Sequence, residues 1–171
     1  MTGQRNRMPP AIVVMGVSGC GKSVVGQALS ERLGAIFIEG DSLHPPENIA
    51  RMAGGIPLRD EDRLGWLDAI GRRIAASAGG GRRVVAACSA LKRAYRERLL
   101  GFCRGILFVY LETDLRTAER RVAERTHHFM SASLVGSQFA ILEPPSEDEA
   151  ALTLDATLPV HVLVSEIAEA L

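Results

Sequence analysis

Short, continuous apolar runs alternate along this chain with longer segments whose apolar residues recur every three or four positions. The run "AIVVMG" at 11–16, rich in β-branched residues and bounded by Pro10 and Gly16, reads as a buried parallel strand. From Lys22 the period changes. Val25, Ala28, Leu29 and Leu33 fall on one helical face, and Gly34 supplies the stop. A second strand is predicted over 35–40, followed by a loop through Pro45 and Pro46 into a short helix. A helix over 61–78 places Leu64, Leu67, Ile70 and Ile74 on one face. Then come a third strand (84–88), a helix (90–100), a fourth strand (105–112) and a helix marked by Leu115, Ala118 and Val122. The stretch "RTHHFMSASLVGSQ" (125–138) is polar and not periodic at its start, and suits a mobile lid over about 125–136. A weak fifth strand (151–157) precedes a C-terminal helix with Val160, Val164, Ile167, Ala168 and Leu171 on its apolar face.

Strands alternating with helices predict an α/β fold: a five-stranded parallel sheet with helices on both faces. The 171 residues suit one domain covering 1–171. Ligands of such sheets sit beyond the carboxyl ends of the strands.

Composition narrows the function classes. Apolar residues make up 47%, charged residues 23%, and the formal net charge is zero, which is a soluble globular balance. Balanced charge gives no reason to expect nucleic acid or a membrane surface as partner. No apolar run is long enough to span a bilayer, and "MTGQRNRMPP" lacks the apolar core of a signal peptide. Cys20, Cys88 and Cys103 have no metal-type spacing and read as reduced thiols, so a cytoplasmic protein is expected. Of the 20 basic residues only Lys22 and Lys92 are lysines. Either lysine is kept where a compact point charge is needed, or codon bias has left two by chance.

Both lysines fall in motifs. "GVSGCGKS" (16–23) fits G-x-x-x-x-G-K-[ST] in full, with a strand before it and a helix after it. Gly16, Val17, Ser18, Gly19, Cys20 and Gly21 would wrap backbone N–H groups around phosphate oxygens at a helix start. Lys22 would reach the β- and γ-phosphates, and the Ser23 hydroxyl would ligate Mg²⁺. The motif predicts ATP or another nucleoside triphosphate with Mg²⁺. Nothing resembles the guanine-reading motifs of a GTPase, and the size and the late polar stretch suit a small-molecule kinase.

Acceptor-side candidates follow the other strands. Asp41 ends the second strand, where a carboxylate could take a proton from an acceptor hydroxyl or hold Mg²⁺ through water; a loop or helix-capping aspartate is the alternative. His44, before Pro45 and Pro46, either contacts substrate or stabilises its loop. Asp60 and Glu61 complement a helix dipole, but Arg63 in a first turn does not, and an anionic ligand such as a carboxylate would explain it. Ser89 and Lys92 are predicted at the end of the third strand and the opening helix turn, where a polar or anionic substrate is favoured. Arg121 and Arg125 could neutralise charge during phosphoryl transfer; Arg120 reads as part of a solvated face. His127 and His128 have no further ligands at zinc spacing.

With these pieces together the chain resembles the gluconokinase family of small P-loop kinases, relatives of shikimate kinase. The resemblance rests on "MGVSGCGKS" (15–23), "GDSLHPPENIARMAGGIPLRDEDRLGWL" (40–67), "CSALKRAYRERL" (88–99), "HFM" (128–130) and "SQFAILEP" (137–144). It implies ATP-dependent phosphorylation of D-gluconate at its 6-hydroxyl, a P-loop kinase fold with a lid, and a homodimer. It also implies phosphate and Mg²⁺ roles for Gly16 to Ser23 and a base or metal role for Asp41. Arg63 would meet the gluconate carboxylate, with His44, Ser89 and Lys92 as further substrate contacts. Arg121, Arg125 and His128 would belong to the lid side, with adenine between the Arg125 region and the loop 155–159. Where family members usually have glycine before "HF", this chain has His127, which bears on lid closure. The rivals are a kinase for another hydroxy acid or polyol and a nucleotide-binding switch; shikimate kinases carry a Gly-rich run where "CSALK" stands here.

Overall fold

A computed structural model of the chain describes residues 8–125 and 131–171. The five strands are β1 (Ala11–Met15), β2 (Ile36–Glu39), β3 (Val84–Ala87), β4 (Leu107–Glu112) and β5 (Ala151–Asp155). They form one parallel sheet in the order β2-β3-β1-β4-β5. β1 is central and every residue in it is buried, as its uninterrupted apolar run requires. Each of its larger aliphatic side chains contributes about 1.5–3 kcal/mol of burial.

The helices are α1 (Lys22–Leu33), α2 (Pro46–Ala53), α3 (Asp60–Gly79), α4 (Arg93–Phe102), α5 (Leu115–Ala123), α6 (Val135–Ile141) and α7 (Val160–Glu169). α1 packs with α7 and α3 packs with α4, giving helical layers on the sheet. One continuous core joins strands and helices. A smaller cluster of Met52, Leu58 and Leu134 joins α2, the loop before α3 and a 3-10 turn, Ala132–Leu134.

The α/β class, the five parallel strands and their order along the chain agree with the sequence reading to within a residue or two. α1 ends where Gly34 adopts the left-handed conformation (φ 60°) and its N–H bonds back to the Ser30 and Glu31 carbonyls. Pro46 opens α2, where a missing N–H costs nothing. Four details differ. Leu64 is 39% exposed, and the buried stripe of α3 runs instead through Arg63, Trp66, Leu67, Ile70 and Ile74. Stepping back 3.6 residues per turn from Leu67 lands on Arg63, which an apolar pattern passes over because it is charged. Residues 90–92, predicted as helix, are not helical; α4 starts at Arg93, and Ala90 sits at φ 43°. The end of the stretch 125–138 is regular: Ala132–Leu134 form a 3-10 turn and α6 starts at Val135. In α7, Leu163 is buried and Ala168 only partly so.

The α3–α4 contact is close because Gly71 faces Phe102: a methyl group at position 71 would overlap the ring. Gly71→Ala is expected to lower stability by about 1–3 kcal/mol through overpacking, read as a shift in urea midpoint without a change in slope.

Candidate active site

The phosphate loop leaves β1 at Gly16. Its conformation needs glycine at two points for steric reasons. Gly16 (φ 142°) would place a Cβ 2.8 Å from Cys20 Sγ and 2.9 Å from the Leu111 carbonyl, and Gly19 (φ 87°) would place one 2.6 Å from the Ala118 carbonyl. α1 then starts at Lys22 with no side-chain cap and no acidic residue in its first turn. Its leading N–H groups are therefore open to an anion. Lys22 Nζ donates to the Val17 carbonyl at 3.0 Å, so the lysine is folded over the loop. Gly16 N donates to the Ser89 carbonyl at 3.2 Å, which ties the loop to the segment after β3.

A cavity beside the loop brings together Lys22, Asp41, His44, Arg63 and Ser89, residues that come from four places in the sequence. Asp41 lies in the 3-10 turn Gly40–Leu43 that follows β2 and is half-buried. The turn is held by Trp66, whose Nε1 donates to the Gly40 carbonyl at 2.8 Å. The His44 ring stacks on Trp66 with centroids 4.1 Å apart and planes 10° from parallel. Burial pulls the His44 pKa down to about 4, Asp41 working against the shift and Arg63 with it, so the ring is neutral near pH 7.

Arg63 is 6% exposed. Its Nη2 donates to the Leu58 carbonyl at 3.4 Å, its Nε has no acceptor among the described residues, and its guanidinium carbon lies 5.7 Å from the Tyr95 ring centre. Burial holds its pKa below the usual arginine value. The nearby Asp60 carboxylate is occupied by other donors: Lys92 Nζ at 2.9 and 3.1 Å, and the Tyr95 hydroxyl. These bonds, the Tyr95 one first, lower the Asp60 pKa. Lys92 thus ends in an ion pair beside the cavity and is not part of its wall.

On the other side of the loop a second groove is lined by Gly19, Val24, Arg121, Arg125, Ala156 and Leu158. Arg121 spans it, donating to the Ala156 carbonyl at 3.1 and 3.2 Å and to the Gly19 carbonyl at 3.5 Å. Arg125 is exposed at the end of α5. Arg125 and the loop 155–159, between which adenine is expected, line one groove together with Arg121. His127 and His128 lie outside the described residues.

The matches to known proteins agree with one another. A family model described as an AAA domain matches residues 12–144. A gluconokinase from Gluconobacter oxydans is 42% identical over 164 residues, covering 96% of this chain and 92% of its own length. The chain belongs to the gluconokinase family. Among solved structures, a gluconokinase from Sinorhizobium meliloti 1021 is 47% identical with a TM-score of 0.83, covering 94% of this chain and 90% of its own. An unliganded sugar kinase from Janibacter sp. HTCC2649 is 40% identical with a TM-score of 0.88, covering 93% and 92%. The three-layer P-loop kinase fold is that of the gluconokinase family.

Three contributors to the site lack a sequence signal of their own. Trp66 looks like an ordinary core residue, and only the fold brings it under His44. Asn48 is buried and donates to the Asp62 carbonyl at 2.8 Å, with its amide 3.4 Å from His44 Nδ1. Gln138, buried on α6, accepts from Ser18 N at 2.6 Å, a bond across 120 residues that links the helix after the expected lid to the phosphate loop.

The His44 shift has a definite sign. An unfolded chain binds a proton at about pH 6.5 that the folded state refuses until about pH 4. Stability is therefore full above pH 6.5 and falls as pH drops through that window, by up to about 1.4 kcal/mol per pH unit. In His44→Gln this contribution is expected to vanish, seen as a flatter dependence of urea-unfolding free energy between pH 6.5 and 4.

Proposed function

We propose that the protein is a gluconokinase, transferring the γ-phosphoryl group of ATP to the 6-hydroxyl of D-gluconate to give 6-phospho-D-gluconate and ADP. The observation that carries the acceptor half of this reading is Arg63, a buried guanidinium short of acceptors beside the phosphate loop. A substrate carboxylate supplies the paired oxygens that its fork lacks.

In this reading the loop Gly16–Ser23 cradles the phosphates through backbone N–H groups. Lys22 exchanges its bond to the Val17 carbonyl for the β- and γ-phosphate oxygens. Ser23, in the first turn of α1, and Asp41, on the cavity wall with Lys22, are the residues that would hold an Mg²⁺ ion, Asp41 through water. Among the described residues no three or more His, Cys, Asp or Glu side chains form a metal cage. An Mg²⁺ ion here would be held largely by the nucleotide, with one hydroxyl and one carboxylate from the protein. When bound, Mg²⁺ supplies charge neutralisation at the phosphates. Asp41 orients the 6-hydroxyl and accepts its proton as the new O–P bond forms and the bond from γ-phosphorus to the ADP oxygen breaks. Arg63 holds the far end of the sugar acid through its carboxylate, with neutral His44 and Ser89 against its hydroxyls and Lys92 at the rim. Arg121 and Arg125 serve the nucleotide side, and adenine sits in the groove against Ala156 and Leu158.

The chain acts as one kinase domain. Residues of about 125–136, His128 among them, form a lid that excludes water during transfer. The packing of Leu134 on Met52 and Leu58 supports this, since it ties the end of that segment to the acceptor side. A homodimer in the cytoplasm belongs to the same reading. The homodimer rests on the family resemblance, and the cytoplasmic location on the free Cys20, Cys88 and Cys103.

The direct test is ATP consumption with Mg²⁺ in the presence of D-gluconate, shikimate, glucose or glycerate. Stimulation by gluconate alone is expected; nucleotide binding without stimulation by any of them would point to a switch. Lys22→Ala should lower kcat by about 10³-fold or more while the circular dichroism spectrum is kept. Arg63→Met should raise KM for gluconate by roughly 30-fold with little change for ATP. The same variant should melt no lower than the parent, because a poorly partnered buried cation is replaced by an apolar chain of similar length.

A further inference from the structure

Behind the turn that carries Ser89, a buried arginine meets a nearly buried carboxylate. Arg96 on α4 has no exposed surface, and the Glu149 side chain, in the segment before β5, is 9% exposed. The pair is bidentate: Nε donates to Oε2 at 2.6 Å and Nη2 to Oε1 at 2.9 Å. The remaining nitrogen, Nη1, donates to the Ala90 carbonyl at 3.0 Å.

Among the described residues, Ala90 is the one non-glycine residue with a positive φ. A residue with a Cβ is disfavoured there, so the turn persists only because its surroundings determine it. The neighbouring carbonyls are held as well: Ser89 O accepts from Gly16 N at 3.2 Å and Leu91 O from Glu143 N at 2.8 Å. Three successive carbonyls thus take three separate donors, two of them from distant parts of the chain and one from the helix that follows. A buried ion pair adds little net stability over apolar residues of the same volume. What apolar residues could not do is aim a directional, charge-assisted bond at one carbonyl.

We propose that Arg96, oriented by Glu149, is a positioning residue for the acceptor site. It holds the left-handed turn at Ala90, and so keeps Ser89 in the cavity wall and Lys92 on Asp60. Neither Arg96 nor Glu149 lines the cavity, so both act through the turn. The inference rests on the acceptor-side reading of Ser89 given above.

The test is steady-state kinetics of the full chain with gluconate and ATP varied in turn, for Arg96→Lys, Glu149→Gln, Ser89→Ala and each of the first two combined with Ala90→Gly. Lysine keeps the charge but, as a compact point charge, lacks the planar fork that reaches both carboxylate oxygens and the Ala90 carbonyl together. Arg96→Lys is expected to raise KM for gluconate about tenfold, as for one lost charge-assisted bond, and to leave KM for ATP unchanged. Glycine removes the cost of the left-handed turn, so in the Ala90→Gly background the same substitution should lose most of its effect. If Arg96→Lys does not fold, Glu149→Gln reads the same split, because the amide keeps the volume and one acceptor oxygen. Equal changes in both KM values, or an effect of the same size with and without Ala90→Gly, would show that the pair only holds the fold. Ser89→Ala separates the two layers of the argument. If it moves KM for gluconate while neither Arg96→Lys nor Glu149→Gln does, the inference alone falls. If it moves nothing, the acceptor reading of Ser89 falls and takes the inference with it.

Discussion

The central strand β1 is buried along its whole length and hydrogen-bonded on both sides, so polar chemistry can only lie beyond its ends. Its pairing with β3 is in register, Val14 opposite Ala87, and the chains leaving both strands emerge side by side. The bond from Gly16 N to the Ser89 carbonyl lies just beyond that ladder. The phosphate loop and the acceptor-side turn are therefore joined by backbone, before any side chain is considered. Moving one would move the other, which is what a reaction between two bound molecules requires of its scaffold.

Around that junction, burial lowers the pKa of two bases with different outcomes. His44 gives up its proton readily when desolvated and stays neutral. Arg63 is desolvated too, but its pKa starts so high that the guanidinium remains charged. The cavity therefore presents a fixed positive centre beside a neutral ring, and that arrangement does not change across the neutral pH range. The lysine at the rim differs again. Lys92 is neutralised by Asp60, so it adds little net charge to the cavity.

Much of this was legible in the chain, and for specific reasons. The strands are short apolar runs ending in glycine or polar residues, a signal that needs no tertiary information. The phosphate loop was legible because its function restricts both residue type and spacing. Arg63 stood out because a cation in a helix's first turn is locally unfavourable. The misses share a different cause. Leu64 was placed inside because it is apolar, yet the stripe of α3 runs through Arg63 and Trp66. The left-handed turn at Ala90 carries no glycine and so gives no warning. Gln138 and Asn48 act across long stretches of sequence, and amide side chains in helices have no pattern that separates a buried hydrogen-bonding residue from a solvated one.

The buried, under-partnered Arg63 also has a consequence for the protein outside its catalytic cycle. A cation held out of water without sufficient acceptors is a stability debt carried by the empty molecule. In the proposed reading, the carboxylate that settles it is the substrate, and a ligand that binds only the folded state raises stability in proportion to the logarithm of its concentration. The lifetime of the folded enzyme against heat or proteolysis then follows the supply of sugar acid. Abundance and substrate would be coupled through folding itself, without any separate sensor.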